Sequence, residues 1–140
     1  MLKKFIFPTL LLVFLTSCNE NKRPSTAMDT ARSFIEASLD GDFKTAEPLL
    51  LPDSLNQQMF QTYKSYYGKL SKSTRDNYAK ANYEINSYDD KNDSLVIVNY
   101  SNDFMHQQMK LKVIKQTGMW WIDFKDLSSI DSTQTFAPNP

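Results

Sequence analysis

The 140-residue sequence has one cysteine, one histidine and three glycines, and its 16 basic residues are balanced by 16 acidic ones. A single thiol excludes an internal disulfide framework and any cluster of thiolate metal ligands. With one imidazole, a metal site would fall to carboxylates such as Asp89, Asp90 and Asp93, whose spacing lacks the glycine and closing glutamate of a calcium loop, so the run reads as a charged turn. The glycines are scattered and form no phosphate-cradling loop, and no motif implies a cofactor. Zero net charge leaves no basic footprint for nucleic acid. A mean hydropathy of −0.50 with a single long apolar run excludes a polytopic membrane protein. What is present is apolar surface: 41% hydrophobic and 13% aromatic residues are too many for a disordered chain, and the length suits one domain.

The apolar run is at the start. Lys3 and Lys4 precede eleven mostly apolar residues, Phe5 to Leu15, and then Leu15-Thr16-Ser17-Cys18, the anatomy of an export leader. A membrane span needs about 20 apolar residues, so this stretch, interrupted by Pro8, is too short to remain one. Leu15-Thr16-Ser17-Cys18 resembles the lipobox of bacterial lipoproteins. That resemblance implies that residues 1–17 are a signal peptide cut off before Cys18, and that the Cys18 sulfur is lipidated and anchors the chain to a membrane. The bland alternatives are a plain secretory signal with an incidental cysteine, or a buried helix; the position of the only thiol at the leader's end favours lipidation. Removing residues 1–17 leaves 14 basic and 16 acidic residues, so attraction to anionic lipid is not the anchor. Residues 18–24 form a short polar tether that reaches about 20 Å. In lipoprotein families an aspartate after the cysteine is linked to inner-membrane retention. Asn19 in its place implies the outer membrane, facing the periplasm.

A domain is expected over residues 25–127. Met28, Ala31, Phe34, Ile35 and Leu39 form a helical stripe, with Ser25 or Thr26 as N-cap and Gly41 suited to the C-terminal cap. Asp42 caps a second short helix that Pro48 bends or ends, and Asp53 caps a third that carries Leu55, Met59, Tyr63 and Tyr66 or Tyr67 and stops near Gly68. Lys69 to Lys80 reads as a further turn or loop. After Ala81 the period becomes two: residues 82–88, 95–100, 105–116 and 119–124 read as antiparallel strands joined by short turns. Leu95, Ile97, Ile114 and Trp121 are expected on the face opposite the main core stripe. Residues 128–140 read as a flexible tail.

Two segments add a resemblance: Phe34-Ile35-Glu36-Ala37-Ser38-Leu39-Asp40-Gly41-Asp42-Phe43-Lys44-Thr45-Ala46 and Gly118-Met119-Trp120-Trp121-Ile122-Asp123-Phe124. With the order of elements they resemble small bacterial lipoproteins of uncharacterised function in the nuclear-transport-factor-two-like superfamily. The resemblance implies an α+β cone, with N-terminal helices packed on a curved antiparallel sheet of about four strands. It also implies a pocket at the open end, and frequent pairing as homodimers through the sheet.

Fold analogy transfers no chemistry, so the site candidates stand on their own residues. All seven tyrosines lie between Tyr63 and Tyr100. Tyr63, Tyr67, Tyr100, Trp120 and Trp121 are therefore candidates for a lined pocket or an interface with a protein partner, against the plain alternative of a small aromatic core. Asp103 and His106 are the acid/base candidates, although three-residue spacing on a strand sends them to opposite faces. These features favour a non-enzymatic domain that binds a small apolar ligand or a protein partner at the cell envelope; a small-molecule enzyme of isomerase or dehydratase type, and a structural envelope lipoprotein, are the alternatives. Asp29-Thr30-Ala31, Asp53-Ser54-Leu55, Asp93-Ser94-Leu95 and Asp131-Ser132-Thr133 also resemble the acceptor of some periplasmic O-glycosylation systems.

Overall fold

Short polar side chains start each helix. Thr26 Oγ1 accepts the Asp29 amide at 3.0 Å and opens α1 (Ala27–Asp40); Asp42 accepts the Thr45 amide at 3.2 Å and opens α2 (Phe43–Ala46). Gly41 between them has φ +70°, and a β-carbon there would lie 2.7 Å from the Tyr67 ring, so both the backbone and the packing exclude a side chain. Pro48 turns the chain into a single 3-10 turn, Glu47–Leu49. Asp53 accepts the Asn56 amide at 2.8 Å and opens α3 (Ser54–Lys69).

The computed structural model describes residues 22–129; the expected leader, Cys18 and residues 130–140 of the expected tail lie outside the described residues. Within them, the polar stretch before Lys80, expected as a turn or loop, contains a helix, α4 (Lys72–Lys80). Its signal is local rather than periodic. Ser71 Oγ accepts the Thr74 amide at 3.1 Å, Lys72 pairs with Asp76 one turn on, and the buried Tyr78 anchors the helix to the core.

Four strands follow, β1 (Tyr83–Asn92), β2 (Leu95–Asn102), β3 (Gln108–Gln116) and β4 (Met119–Ser129), antiparallel in the order β1-β2-β3-β4. The first runs past residue 88 through Asp89 and Asp90, expected in a charged turn, because they pair with Ile97 and Val96 of β2. The third begins at Gln108 rather than Met105, because Asn102 Oδ1 accepts the Phe104 and Met105 amides at 3.2 and 2.7 Å and holds those residues in a turn. The fourth runs beyond Phe124 to Ser129, two residues past the expected domain end, and Leu127 within it is buried.

The fold is α+β: helices N-terminal in the chain cover one face of a curved, unclosed antiparallel sheet. Phe34 and Ile35 of α1 and Phe60 of α3 meet Val96, Val98, Leu111, Val113, Ile122 and Phe124 of the sheet. At the centre, Phe60 is fully buried, with ring centroids 5.3 Å from Phe124, 5.8 Å from Phe43 and 6.2 Å from Phe34.

Candidate functional site

Past this aromatic centre the helices and sheet leave a cavity of about 50 Å³. Tyr63, Tyr66 and Tyr67 of α3, Tyr78 of α4 and Tyr100 of β2 line it, with Phe34 and Ser38 of α1. Met105, Met109 and Leu127 close the sheet side. Three of the five interface or pocket candidates, Tyr63, Tyr67 and Tyr100, thus meet in one place. Residues 63, 66 and 67 fall on one helical face, which is why a single stretch of α3 supplies three rings.

Two of the tyrosine hydroxyls here are only loosely tied. Tyr63 Oη donates to Ser38 O and Tyr67 Oη to Leu39 O, both at 3.4 Å, a long hydrogen bond. Ser38 Oγ is buried without a partner. Burial, and after it the neighbouring tyrosines, push the Tyr63, Tyr78 and Tyr100 hydroxyls well above the ordinary tyrosine range. At neutral pH the cavity therefore presents neutral hydroxyls, which donate and accept hydrogen bonds and have no charge to lend a reaction.

The acid/base candidates lie elsewhere. Asp103 and His106 line an open polar hollow with Asn82, Glu84 and Gln108. The Asp103 carboxylate is engaged by Asn82, whose backbone N–H donates at 3.0 Å and whose Nδ2 donates at 2.9 Å, and no hydrogen bond joins it to His106. His106 is exposed, with φ +52°, in the turn before β3. That arrangement caps the start of β1 and assembles no acid/base pair. Among the described residues no group of three or more His, Cys, Asp or Glu side chains is placed to hold a metal ion.

Trp120 and Trp121 lie at the opposite end of the sheet, beside the β3–β4 turn. Trp120 packs against the core, whereas Trp121 faces outward in register with Ile114, which itself pairs with Leu95. The outer face is therefore apolar at this end, as the alternation indicates. Arg23, which sequence reasoning did not single out, covers part of it. Its guanidinium lies 3.9 Å from the Trp121 ring centroid and donates to Pro48 O at 2.7 Å and Trp120 O at 3.0 Å.

A polar cluster was missed as well. Asp123 alternates as an outward residue yet is 2% exposed, because Lys125 Nζ at 2.8 Å, Lys112 Nζ at 3.4 Å and Asn56 Nδ2 at 3.4 Å converge on it. Asn56, also fully buried, accepts the Lys125 amide at 2.9 Å. Every member has a partner, so the cluster fastens α3 to the edge of β4. Of the four glycosylation-like tripeptides, Thr30 is fully buried with its hydroxyl donated to Thr26 O, Ser54 and Ser94 are exposed, and Asp131-Ser132-Thr133 lies outside the described residues.

No family model, no curated protein and no solved structure matches this chain.

Proposed function

We propose that this chain is an exported lipoprotein, acylated at Cys18 and held at the outer membrane facing the periplasm, whose domain binds a small apolar ligand without catalysing a reaction on it. The leader ending in the chain's only cysteine supports the location. One observation carries the binding role: five tyrosines converge on an apolar cavity in which Ser38 Oγ has no partner. A buried hydroxyl is seldom left unpaired, and a ligand's polar atom or a water would satisfy it. Size limits the occupant. A dry cavity near 150 Å³ holds benzene, so about 50 Å³ takes only a few non-hydrogen atoms unless the half-buried Tyr66, Leu70 and Met105 move aside. A short apolar ligand with one polar end fits both the lining and the unpaired hydroxyl.

The proposal that the domain has the nuclear-transport-factor-two-like cone is supported by the helix-then-meander order and by this cavity under the helices. The binding role is tested by thermal denaturation of the protein with phenol and with short linear alcohols. Binding at about 100 times the dissociation constant stabilises by roughly 2.7 kcal/mol. Met109→Trp, which fills the cavity, is expected to abolish that shift. If no probe raises the melting temperature, and native mass spectrometry of protein from its own envelope shows no added mass, the binding role is wrong.

A further inference from the structure

Resting on the lipid anchor proposed above, we infer that the β3–β4 end of the sheet lies against the phospholipid surface and that the tyrosine cavity is turned away from it. The Arg23 clamp carries this. Only four residues separate Cys18 from Arg23, so an acylated Cys18 lies within about 18 Å of it along the chain. Arg23 is not free to swing: it stacks on Trp121 and bonds to Pro48 O and Trp120 O. The tether thus leaves the domain from the end that holds Trp120, Trp121 and Met119, the last 41% exposed. Both tryptophans of the chain are here, and Lys115 Nζ lies 5.5 Å over the Trp120 ring. Aromatic rings beside a cation suit the headgroup level of a bilayer.

The charge at this end decides what kind of contact it is. Asp89, Asp90 and Asp93, on β1 and its turn, share this end of the sheet with Lys91 and Lys115, and Lys22 adjoins Arg23 in the chain. The mixture gives no attraction for anionic lipid, so the contact rests on the tether and the rings, and zwitterionic phospholipid suffices. At the other end of the same strands lie Tyr100, Met109 and Leu127 of the cavity. β3, nine residues long, separates the two ends by about 27 Å. A ligand would therefore enter from the aqueous side and not from the lipid.

The test uses the acylated full chain, its mass verified, on phosphatidylcholine vesicles. Gln116→Cys at the end of β3 and His106→Cys in the turn before it each carry an environment-sensitive fluorophore; the acylated Cys18 leaves no competing thiol. The expected result is a several-fold rise in emission on vesicle binding at position 116, none at 106, and quenching of the native tryptophans by headgroup nitroxides. Arg23→Ser, with the fold checked by circular dichroism, is expected to keep the protein on the vesicles while shrinking the difference between the two positions. A protein that floats with vesicles but shows equal signals at both ends overturns the orientation alone. A full-length chain with an unmodified Cys18 overturns the anchor and the orientation together. A signal at position 116 that grows with protein density on the vesicle, and is missing at dilute coverage, assigns this face to a second copy and overturns the lipid contact.

Discussion

The two edges of the sheet are built in opposite ways. β4 is covered: Leu50 bridges to Ile122, Leu51 N–H donates to Ile122 O at 2.9 Å, and Asn56 Oδ1 takes the Lys125 amide further along. β1 has only Tyr83 and Ile85 half-buried, and the rest of the strand, including the 43% exposed Tyr88, is open to solvent. An open edge is a template for pairing with other chains, and here it is broken by two irregularities of register and by Asp89, Asp90 and Lys91. Stability is thus concentrated on the β4 side of the sheet. The 47–56 segment covers β4, the helices pack on β2, β3 and β4, and β1 is held mainly by its ladder to β2.

The largest expected effect comes at alkaline pH, through groups on the covered side of the fold. Tyr63, Tyr78 and Tyr100 have hydroxyl pKa values raised by burial, and Lys112 and Lys125 have theirs raised by their aspartate hydrogen bonds first. A folded-state pKa above the unfolded one contributes stability that is complete below the unfolded value and is lost as pH rises through the folded value. Unfolding is therefore expected to set in above about pH 10, with tyrosinate absorbance and loss of circular dichroism in step. Tyrosinate appearing in full before the fold is lost would contradict the burial of these rings. Asp53 and Asp126 run the other way: their pKa values are lowered, Asp53 by the Asn56 amide and Asp126 by Lys112 first, so their contribution holds at neutral pH and fades as pH falls below about 4.

Next in size, Phe60→Ala removes the ring on which Phe34, Phe43 and Phe124 converge. It is expected to cost about 3–5 kcal/mol in urea denaturation. Asn56→Ala strips the cover from β4 and leaves the Lys125 amide and Asp123 short of a partner, for a loss of about 1–3 kcal/mol. Smallest is Tyr88→Ser on the open edge, expected to change stability by no more than about 0.5 kcal/mol. Hydrogen exchange sharpens the contrast without mutation: amides of β1 should exchange by local opening well before those of β3 and β4. Equal protection across the sheet would remove the distinction.

The legible parts of the fold were those written in local chemistry. Thr26, Asp42 and Asp53 as caps, Gly41 as a terminator and the alternation of β2 and β3 all act within a few residues, and each is where the sequence places it. α4 was not legible because its apolar content is little more than Tyr78, too little for a helical stripe. In the candidate site, the spacing on α3 indicated Tyr63 with Tyr66 or Tyr67 on one face, and the cavity takes all three. That Tyr78 and Tyr100 close on the same cavity depends on long-range packing. Asp123 shows the limit most clearly: alternation assigns it to the outer face, and only Asn56, 67 residues earlier, and Lys112 across the ladder explain its burial.

The export-leader pattern, the order of helices before strands and the aromatic character of the domain are written in the chain, because they reside in composition and in periods of two and 3.6 residues. The tertiary structure sets which tyrosines share a cavity, pairs Asp103 with Asn82 and not His106, and seats Arg23 on Trp121. Those pairings join residues up to about a hundred positions apart, and their partners are selected by the packing of helices on the sheet, which no local pattern encodes.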